Sequence, residues 1–259
     1  MQISPKVGDR VLFNIDQTNT IEEVLPRITD LVRPDVANVD QVLLLFSATN
    51  PDFSMYLLDK FLVVLKQQPL TIKLVVSKVD LMEEKALEKL KEELRYYEEK
   101  LLIDIYYINS KKRIGFDILE NIFQDKITVL AGQTGVGKST LLNALIPSLN
   151  IKTQEISKAL GRGKHTTRHS ELYDFGGGYI CDTPGFSRLD IDLYEPIELR
   201  DLYDDFNSYL DDCKFSSCMH INEPKCGVKK ALEEGLIKQS RYDNYLLFME
   251  DIKANKNKF

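Results

Sequence analysis

Through the middle of this chain apolar residues come in blocks separated by amphipathic stretches. VDQVLLLFSA at 39–48 is a continuous apolar run, the pattern of a strand buried on both faces of a parallel sheet. TIKLVVSKVD at 71–80 predicts a strand running into a loop, and LIDIYYINS at 102–110 and KITVLAG at 126–132 predict two more strands. Between and after them lie helical patterns: FSMYLLDKFLVVLKQQ at 53–68, EEKALEKLKEELRYYEEKL at 83–101, FDILENIFQ at 116–124 and KSTLLNALI at 138–146. The second carries many opposite charges at i, i+4, as a solvated helix face does. Strand and helix alternating in this way predict a doubly wound α/β domain.

The two ends depart from that pattern. VGDRVLFNI, the polar QTNT at 17–20 and IEEVLPR predict a hairpin, too small to fold alone and resembling the tail of a small β-barrel. Residues 150–170 are polar and rich in Gly, Lys and Arg, and are expected to form a mobile loop. ELYDF at 171–175 and YICDT at 179–183 flank a GGG turn as a second hairpin. Beyond about Tyr203 an acidic stretch leads to a cysteine cluster and two helices, at 228–235 and 240–256. The expected division is 1–34, 35–203 and 204–259.

A chain of 259 residues can bury one good core with room for a second small unit. A net charge of −6 argues against a nucleic-acid binder that works by bulk charge, while leaving room for a local basic surface. No apolar run approaches the ~20 residues that cross a bilayer, and MQISPKVGDR lacks the apolar core of a signal peptide. The expectation is a cytoplasmic protein that contacts no membrane. Of four cysteines, Cys181 sits in the apolar run YIC and reads as a buried strand thiol; the other three cluster with a histidine.

The chemistry is concentrated in short motifs. GQTGVGKST at 132–140 has the G-x4-G-K-[ST] form, follows a predicted strand and opens a predicted helix. In that setting Gly132, Gln133, Thr134, Gly135, Val136 and Gly137 would curl backbone N–H groups around phosphate oxygens, aided by the helix dipole. Lys138 would reach the β- and γ-phosphates, Ser139 would ligate Mg²⁺, and Thr140 completes the motif. DTPG follows at 182–185. There Asp182 would hold Mg²⁺ through water, and Gly185 would offer its N–H to the γ-phosphate. GRGKHTTRH at 161–169 lies between, where a switch threonine belongs, and Thr166 and Thr167 are both candidates.

SKVD at 77–80 ends a predicted strand and stands upstream of the phosphate loop. Asp80 would accept two hydrogen bonds from guanine, from N1–H and the 2-amino group, and Lys78 would pack its stem on the base or loop. Val79 lies between them. Ser77 stands where this motif usually has Asn, so its hydroxyl can brace the loop without amide geometry. NSKK at 109–112 is placed to supply the second base-side element, through Asn109 or Ser110. A base-reading motif ahead of the phosphate loop reverses the usual GTPase order and reads as a circular permutation. Phe186 occupies the position at which many GTPases carry a water-positioning Gln, and His165 is the nearest polar candidate for that role.

Cys213, Cys218, His220 and Cys226 have the spacing C-x4-C-x-H-x5-C. Three thiolates and an imidazole complete a closed tetrahedral zinc site, structural rather than catalytic, and the last ~55 residues would draw folding energy from it.

With these residues together, the chain resembles the RsgA (YjeQ) family of ribosome small subunit-dependent GTPases. The resemblance rests on VGDRV, EEVLPR, LVRPDVANVDQVLLLFSA, the permuted motif order, GKHTTR, DTPGF and the cysteine–histidine spacing. It implies a permuted P-loop GTPase domain between an N-terminal OB-fold barrel and a small α-helical zinc-binding domain, with GTP/GDP, Mg²⁺ and one structural Zn²⁺ as cofactors. It implies a late maturation factor of the small ribosomal subunit that binds near the decoding region, is stimulated to hydrolyse GTP there, and is released. The histidine of GKHTTR is proposed in the family to assist hydrolysis, which fits His165. OB folds have five strands, and residues 1–34 can supply one or two, so the expected barrel is partial. Basic candidates for rRNA contact are Lys158, Arg162, Lys164, Arg168 and His169, with the lysines near the C-terminus. The chain is expected to act as a monomer. A GTP-gated binding scaffold with little hydrolysis is the alternative, and Asp80 disfavours an ATP-using enzyme.

Overall fold

The computed structural model describes residues 4–15, 20–31, 34–149, 170–182, 191, 193 and 195–256. The chain divides into two compact units. The first comprises Met1–Phe53, Gln68–Leu90 and Ile103–Arg188; the second comprises Ser54–Gln67, Lys91–Leu102 and Leu189–Phe259.

The first unit is built on a six-stranded sheet: β5 (Gln41–Ser47), β6 (Thr71–Ser77), β7 (Asp104–Tyr107), β8 (Ile127–Ala131), β9 (Glu171–Phe175) and β10 (Gly178–Asp182) in the order β7-β6-β5-β8-β10-β9. Every neighbouring pair is parallel except β10–β9, the predicted hairpin. Central β5 is buried at all seven positions, which is why its sequence shows no alternation. On one face Leu43, Leu45, Val75, Leu130 and Ile180 pack with Phe116 and Leu119 of α3 (Phe116–Glu120), Phe123, and Leu141, Leu142 and Leu145 of α4 (Lys138–Leu145).

Ahead of the sheet stand two short antiparallel pairs, β1 (Val11–Phe13) with β2 (Ile21–Val24) and β3 (Asp30–Leu31) with β4 (Val36–Ala37). The first is the predicted hairpin. The second lacks a sequence signature because two residues are too few for a period. Both are held by polar contacts. Arg27 Nε and Nη2 donate to the two oxygens of Asp9 at 2.7 and 2.8 Å, and Asn38 Nδ2 donates to the carbonyl of Gly8 at 3.0 Å.

The second unit gathers α1 (Met55–Leu65), the C-terminal part of α2 (Glu84–Leu101), α5 (Pro196–Asp201), α6 (Asp204–Asn207), α7 (Gly227–Glu233) and α8 (Gln239–Lys256). Ser54 caps α1, its hydroxyl accepting from Leu57 N at 3.3 Å. The core is aromatic: Tyr203, Phe206 and Tyr245 meet with ring centroids 4.9–5.2 Å apart.

Within that core Arg241 is fully buried and donates to Asp59 at 2.8 Å and to both oxygens of Asp205 at 3.1 and 3.2 Å. Tyr97 and Asn244 complete Asp59, at 2.8 and 2.7 Å, and Tyr96 donates to Asp205 at 2.9 Å. Sequence patterning missed this network, along with α5 and α6, because it tracks apolar period rather than isolated charges. No helix among the described residues is long and apolar enough to cross a membrane.

Candidate functional site

Three loops leave the C-terminal ends of adjacent parallel strands, the place where open α/β sheets hold ligands. The first follows β8 and is the predicted phosphate loop. Gly132, Gly135 and Gly137 all have positive φ, and a Cβ on Gly132 would lie 2.1 Å from the Leu45 carbonyl oxygen on β5. That close approach seats the loop on the central strand. Gly137 then caps α4, which begins at Lys138.

The Lys138 ammonium folds back along its own loop and donates to the carbonyls of Gly132 and Gln133, both at 2.6 Å. Burial lowers its pKa to about 8. The cation is thus partly desolvated and satisfied by neutral carbonyl oxygens, an arrangement that an anion would relieve.

The second loop follows β6 and holds the SKVD residues. Ser77 Oγ donates to Val136 O at 2.5 Å and lies 3.2 Å from Phe46 O, so it braces the phosphate loop against β5. Lys78 adopts a left-handed backbone, φ 57°. Its ammonium donates to Gly135 O at 2.7 Å and to Asn50 O. Burial, with Lys111 nearby, lowers its pKa. Val79 and Asp80 lie in the 3₁₀ turn that follows, with Asp80 exposed.

The third loop, between β5 and α1, went unnoticed in the sequence analysis. Asn50, at φ 53°, presents its carbonyl to Lys78, and Ser47 Oγ donates to Pro51 O at 2.6 Å. The Asn-Pro dipeptide after a strand was its available signal.

Asn109 and Ser110 follow β7. The Asn109 backbone pairs with Ile114 in both directions, and its Oδ1 accepts from the amides of Lys111 and Lys112 at 3.0 and 3.1 Å. Asp182 closes β10, which pairs with β8 through Cys181 and Val129, so its backbone stands beside the strand that feeds the phosphate loop. Cys181 is buried, as predicted. The Asp182 side chain lies outside the described residues. So do His165, Thr166, Thr167, Gly185 and Phe186, and the basic candidates Lys158, Arg162, Lys164, Arg168 and His169.

In the second unit, Cys213, Cys218, His220 and Cys226 bring their ligand atoms within 4.8 Å of one another. Tetrahedral zinc with Zn–S near 2.3 Å needs ligand atoms roughly 3.7 Å apart. His220 Nδ1 already lies 3.7 Å from Cys213 Sγ and 3.3 Å from Cys226 Sγ. Backbone N–H groups aim at the sulfurs, Gly227 N at Cys213 (3.2 Å) and Lys229 N at Cys226 (3.4 Å), as suits thiolate charge. Burial pushes the Cys218 thiol up to about 12 and His220 down to about 4. Burial thus favours the neutral forms of Cys218 and His220; a divalent metal would favour thiolates over thiols. The donor set and its spacing fit a zinc-type ion.

A phosphate loop in this setting, with the SKVD strand and its neighbours placed ahead of it in the chain, defines a circularly permuted P-loop GTPase. Two solved structures share the fold at substantial identity. YloQ, described as a circularly permuted GTPase, is 38% identical with a TM-score of 0.84, the match covering 98% of this chain and 83% of that one. YjeQ from Thermotoga maritima is 39% identical with a TM-score of 0.81, covering 96% and 85%. The RsgA GTPase profile matches residues 24–192, and the chain belongs to that family.

Curated relatives carry the name small ribosomal subunit biogenesis GTPase RsgA. The one from onion yellows phytoplasma (strain OY-M) is 55% identical over 250 residues, 96% of this chain and 81% of the relative. That from Halalkalibacterium halodurans is 45% identical over 260 residues, 99% and 88%. The chain is accordingly a GTPase that works on a guanine nucleotide with Mg²⁺.

Proposed function

We propose that this GTPase acts in late maturation of the small ribosomal subunit, binding the subunit and its rRNA with GTP loaded and leaving after hydrolysis. The observation that carries the nucleotide half of this reading is Lys138, a half-buried ammonium held by two carbonyls of the phosphate loop. The names of the relatives support the ribosomal half.

In this reading the backbone of Gly132–Gly137 cradles the phosphates, Lys138 bridges the β- and γ-phosphates, and Thr140 belongs to the same turn. Ser139 and Asp182 hold Mg²⁺, whose charge offsets that developing between the β- and γ-phosphates. Thr166 or Thr167 and the Gly185 N–H sense the γ-phosphate, and His165 assists the attacking water. Ser77, Lys78, Val79 and Asp80, with Asn109 or Ser110, enclose and read the guanine. Zinc on Cys213, Cys218, His220 and Cys226 is structural, since four protein ligands leave no open position. The protein works as a cytoplasmic monomer, and Lys158, Arg162, Lys164, Arg168 and His169 are its candidates for rRNA contact.

The test is GTP turnover with and without isolated small subunits. Many-fold stimulation is expected. Binding of GTP and subunit without turnover would replace this reading by a GTP-gated scaffold, and failure to bind GTP would refute the site.

A further inference from the structure

His220 is fully buried, and its backbone lies in the left-handed region, φ 59°, which L-residues seldom visit. Its ring turns Nδ1 toward the sulfurs of Cys213 and Cys226, at 3.7 and 3.3 Å. The far nitrogen, Nε2, is buried and has no hydrogen-bond partner among the described residues. Phe206 and Tyr245 pack around the ring, with centroids 6.1 and 6.5 Å away, but neither gives Nε2 an acceptor. A histidine that ligates a metal is ordinarily held by an acceptor on that far nitrogen, which fixes the ring and its tautomer. Here no hydrogen bond sets the ring from behind, so the backbone has to aim it.

That backbone is fastened on both sides of His220. The Glu223 carboxylate accepts from Met219 N with one oxygen and from Ile221 N with the other, both at 2.9 Å. Tyr245 donates to Met219 O at 2.8 Å, and Tyr242 donates to His220 O at 2.6 Å. Three side chains thus hold four polar groups of the Met219–Ile221 backbone. Both phenols stand on one face of α8, three residues apart. The same stretch of α8 sends Arg241 to Asp59 and Asp205, and Asn244 to Asp59. The helix that grips the His220 backbone is therefore itself anchored in the buried charge network.

We propose that Glu223, Tyr242 and Tyr245 are positioning residues for the metal: they hold the Met219–Ile221 backbone in the conformation that brings His220 Nδ1 among the cysteine sulfurs, set as the fourth ligand before a cation arrives. This rests on the reading of Cys213, Cys218, His220 and Cys226 as a zinc site. A left-handed histidine released from this clamp relaxes toward ordinary backbone and carries its imidazole away from the sulfurs. A cation that meets the relaxed chain must first restore the clamped one, so its apparent affinity falls with the fraction of chains still competent. The cysteines keep their own hold, and the effect falls on the fourth ligand.

The test measures zinc affinity by competition with a chromophoric chelator, and urea unfolding with and without zinc. It compares the wild-type chain with Tyr242→Phe, Tyr245→Phe and Glu223→Gln. Each tyrosine change removes one bond of the clamp and keeps the ring. Glu223→Gln leaves one acceptor and sets an NH₂ group against the other backbone N–H. An ordinary hydrogen bond corresponds to roughly 2- to 10-fold, so each tyrosine variant should bind zinc weaker by about that factor and lose more stability with zinc than without. Cobalt bound to Glu223→Gln should keep its thiolate charge-transfer bands and show weakened tetrahedral bands. Tyr203→Phe is the control, since it removes a buried hydroxyl of the same core that has no hydrogen-bond partner; its zinc affinity should match wild type. An equal loss in Tyr203→Phe would trace the effect to a loosened core and overturn the proposal. Equal destabilisation with and without zinc, at unchanged affinity, would also overturn it while leaving the zinc site intact. A wild-type chain that binds no zinc would overturn the site and the proposal together. Should Glu223→Gln not fold, the two tyrosine variants decide.

Discussion

Arg241 and Asp59 form an ion pair at 2.8 Å in which neither side chain reaches solvent. One guanidinium serves two carboxylates there, Asp59 and Asp205, and stacks 4.0 Å from the Tyr203 ring. Replacing Arg241 by Leu would strand both acids. Breaking a buried pair from one side costs about 3–5 kcal/mol, and urea unfolding should show a loss of that order. An Arg241→Leu chain as stable as wild type would show the network to be ornamental.

The same pair gives a pH signature. Burial outweighs Arg241 and holds the Asp59 carboxyl above its ordinary range. A group raised in the folded state stabilises below its unfolded value and loses that contribution as pH rises through the folded one. Removing Arg241 raises it further. The deficit of Arg241→Leu should therefore be larger at pH 8 than at pH 5, measured as paired unfolding curves; a deficit independent of pH contradicts the sign.

Lys138 sets a second pH dependence, on binding. Its pKa in the free loop is lowered to about 8. Phosphate requires the charged form, so above pH 8 binding must take up a proton. GDP affinity should be flat below pH 7 and decline above pH 8, approaching about tenfold per unit. Titration with a fluorescent GDP at pH 7, 8 and 9 checks this, and Lys138→Ala should abolish binding at all three.

Ser77 replaces an amide with a hydroxyl yet still reaches Val136 O. Ser77→Ala removes that brace, worth about 1 kcal/mol, and should weaken GDP severalfold without altering preference for the base. A changed preference would mean that Ser77 touches the base itself.

Gly227 sits where the first turn of α7 crosses the Cys213 loop. An added Cβ would meet Tyr209 O at 2.3 Å and Asp212 Cβ at 2.6 Å. Gly227→Ala should push the loop from the helix, separate Cys213 from Cys226 and lower zinc retention, read by metal release to a colorimetric chelator. Cobalt substituted into the wild type should give tetrahedral thiolate bands, weakened in the variant. Unchanged release would show the loop can yield.

How much was legible in the chain depended on range. The run Gln41–Ser47 announced a doubly buried strand because burial on both faces erases alternation. The phosphate loop and the cysteine cluster were legible because each gathers its chemistry within a few residues. The Arg241–Asp59 pair was not, its partners being 182 residues apart. Nor was the bridge from Lys78 to Asn50, which uses a backbone carbonyl that carries no residue identity. Helix 116–124 was read too long: α3 stops at Glu120, and Phe123 enters the core from the turn beyond it.

That 182-residue separation also has a timetable. Asp59 leaves the ribosome 182 residues ahead of its guanidinium partner. At about 5–20 residues per second, α1 waits roughly 10–40 s for Arg241. During that interval the apolar face of α1, with Leu58, Phe61, Leu62 and Leu65, and the Asp59 carboxylate have no finished core to enter. The second unit can close only after Arg241 has been made, which leaves any product terminated before it without a finished core for α1.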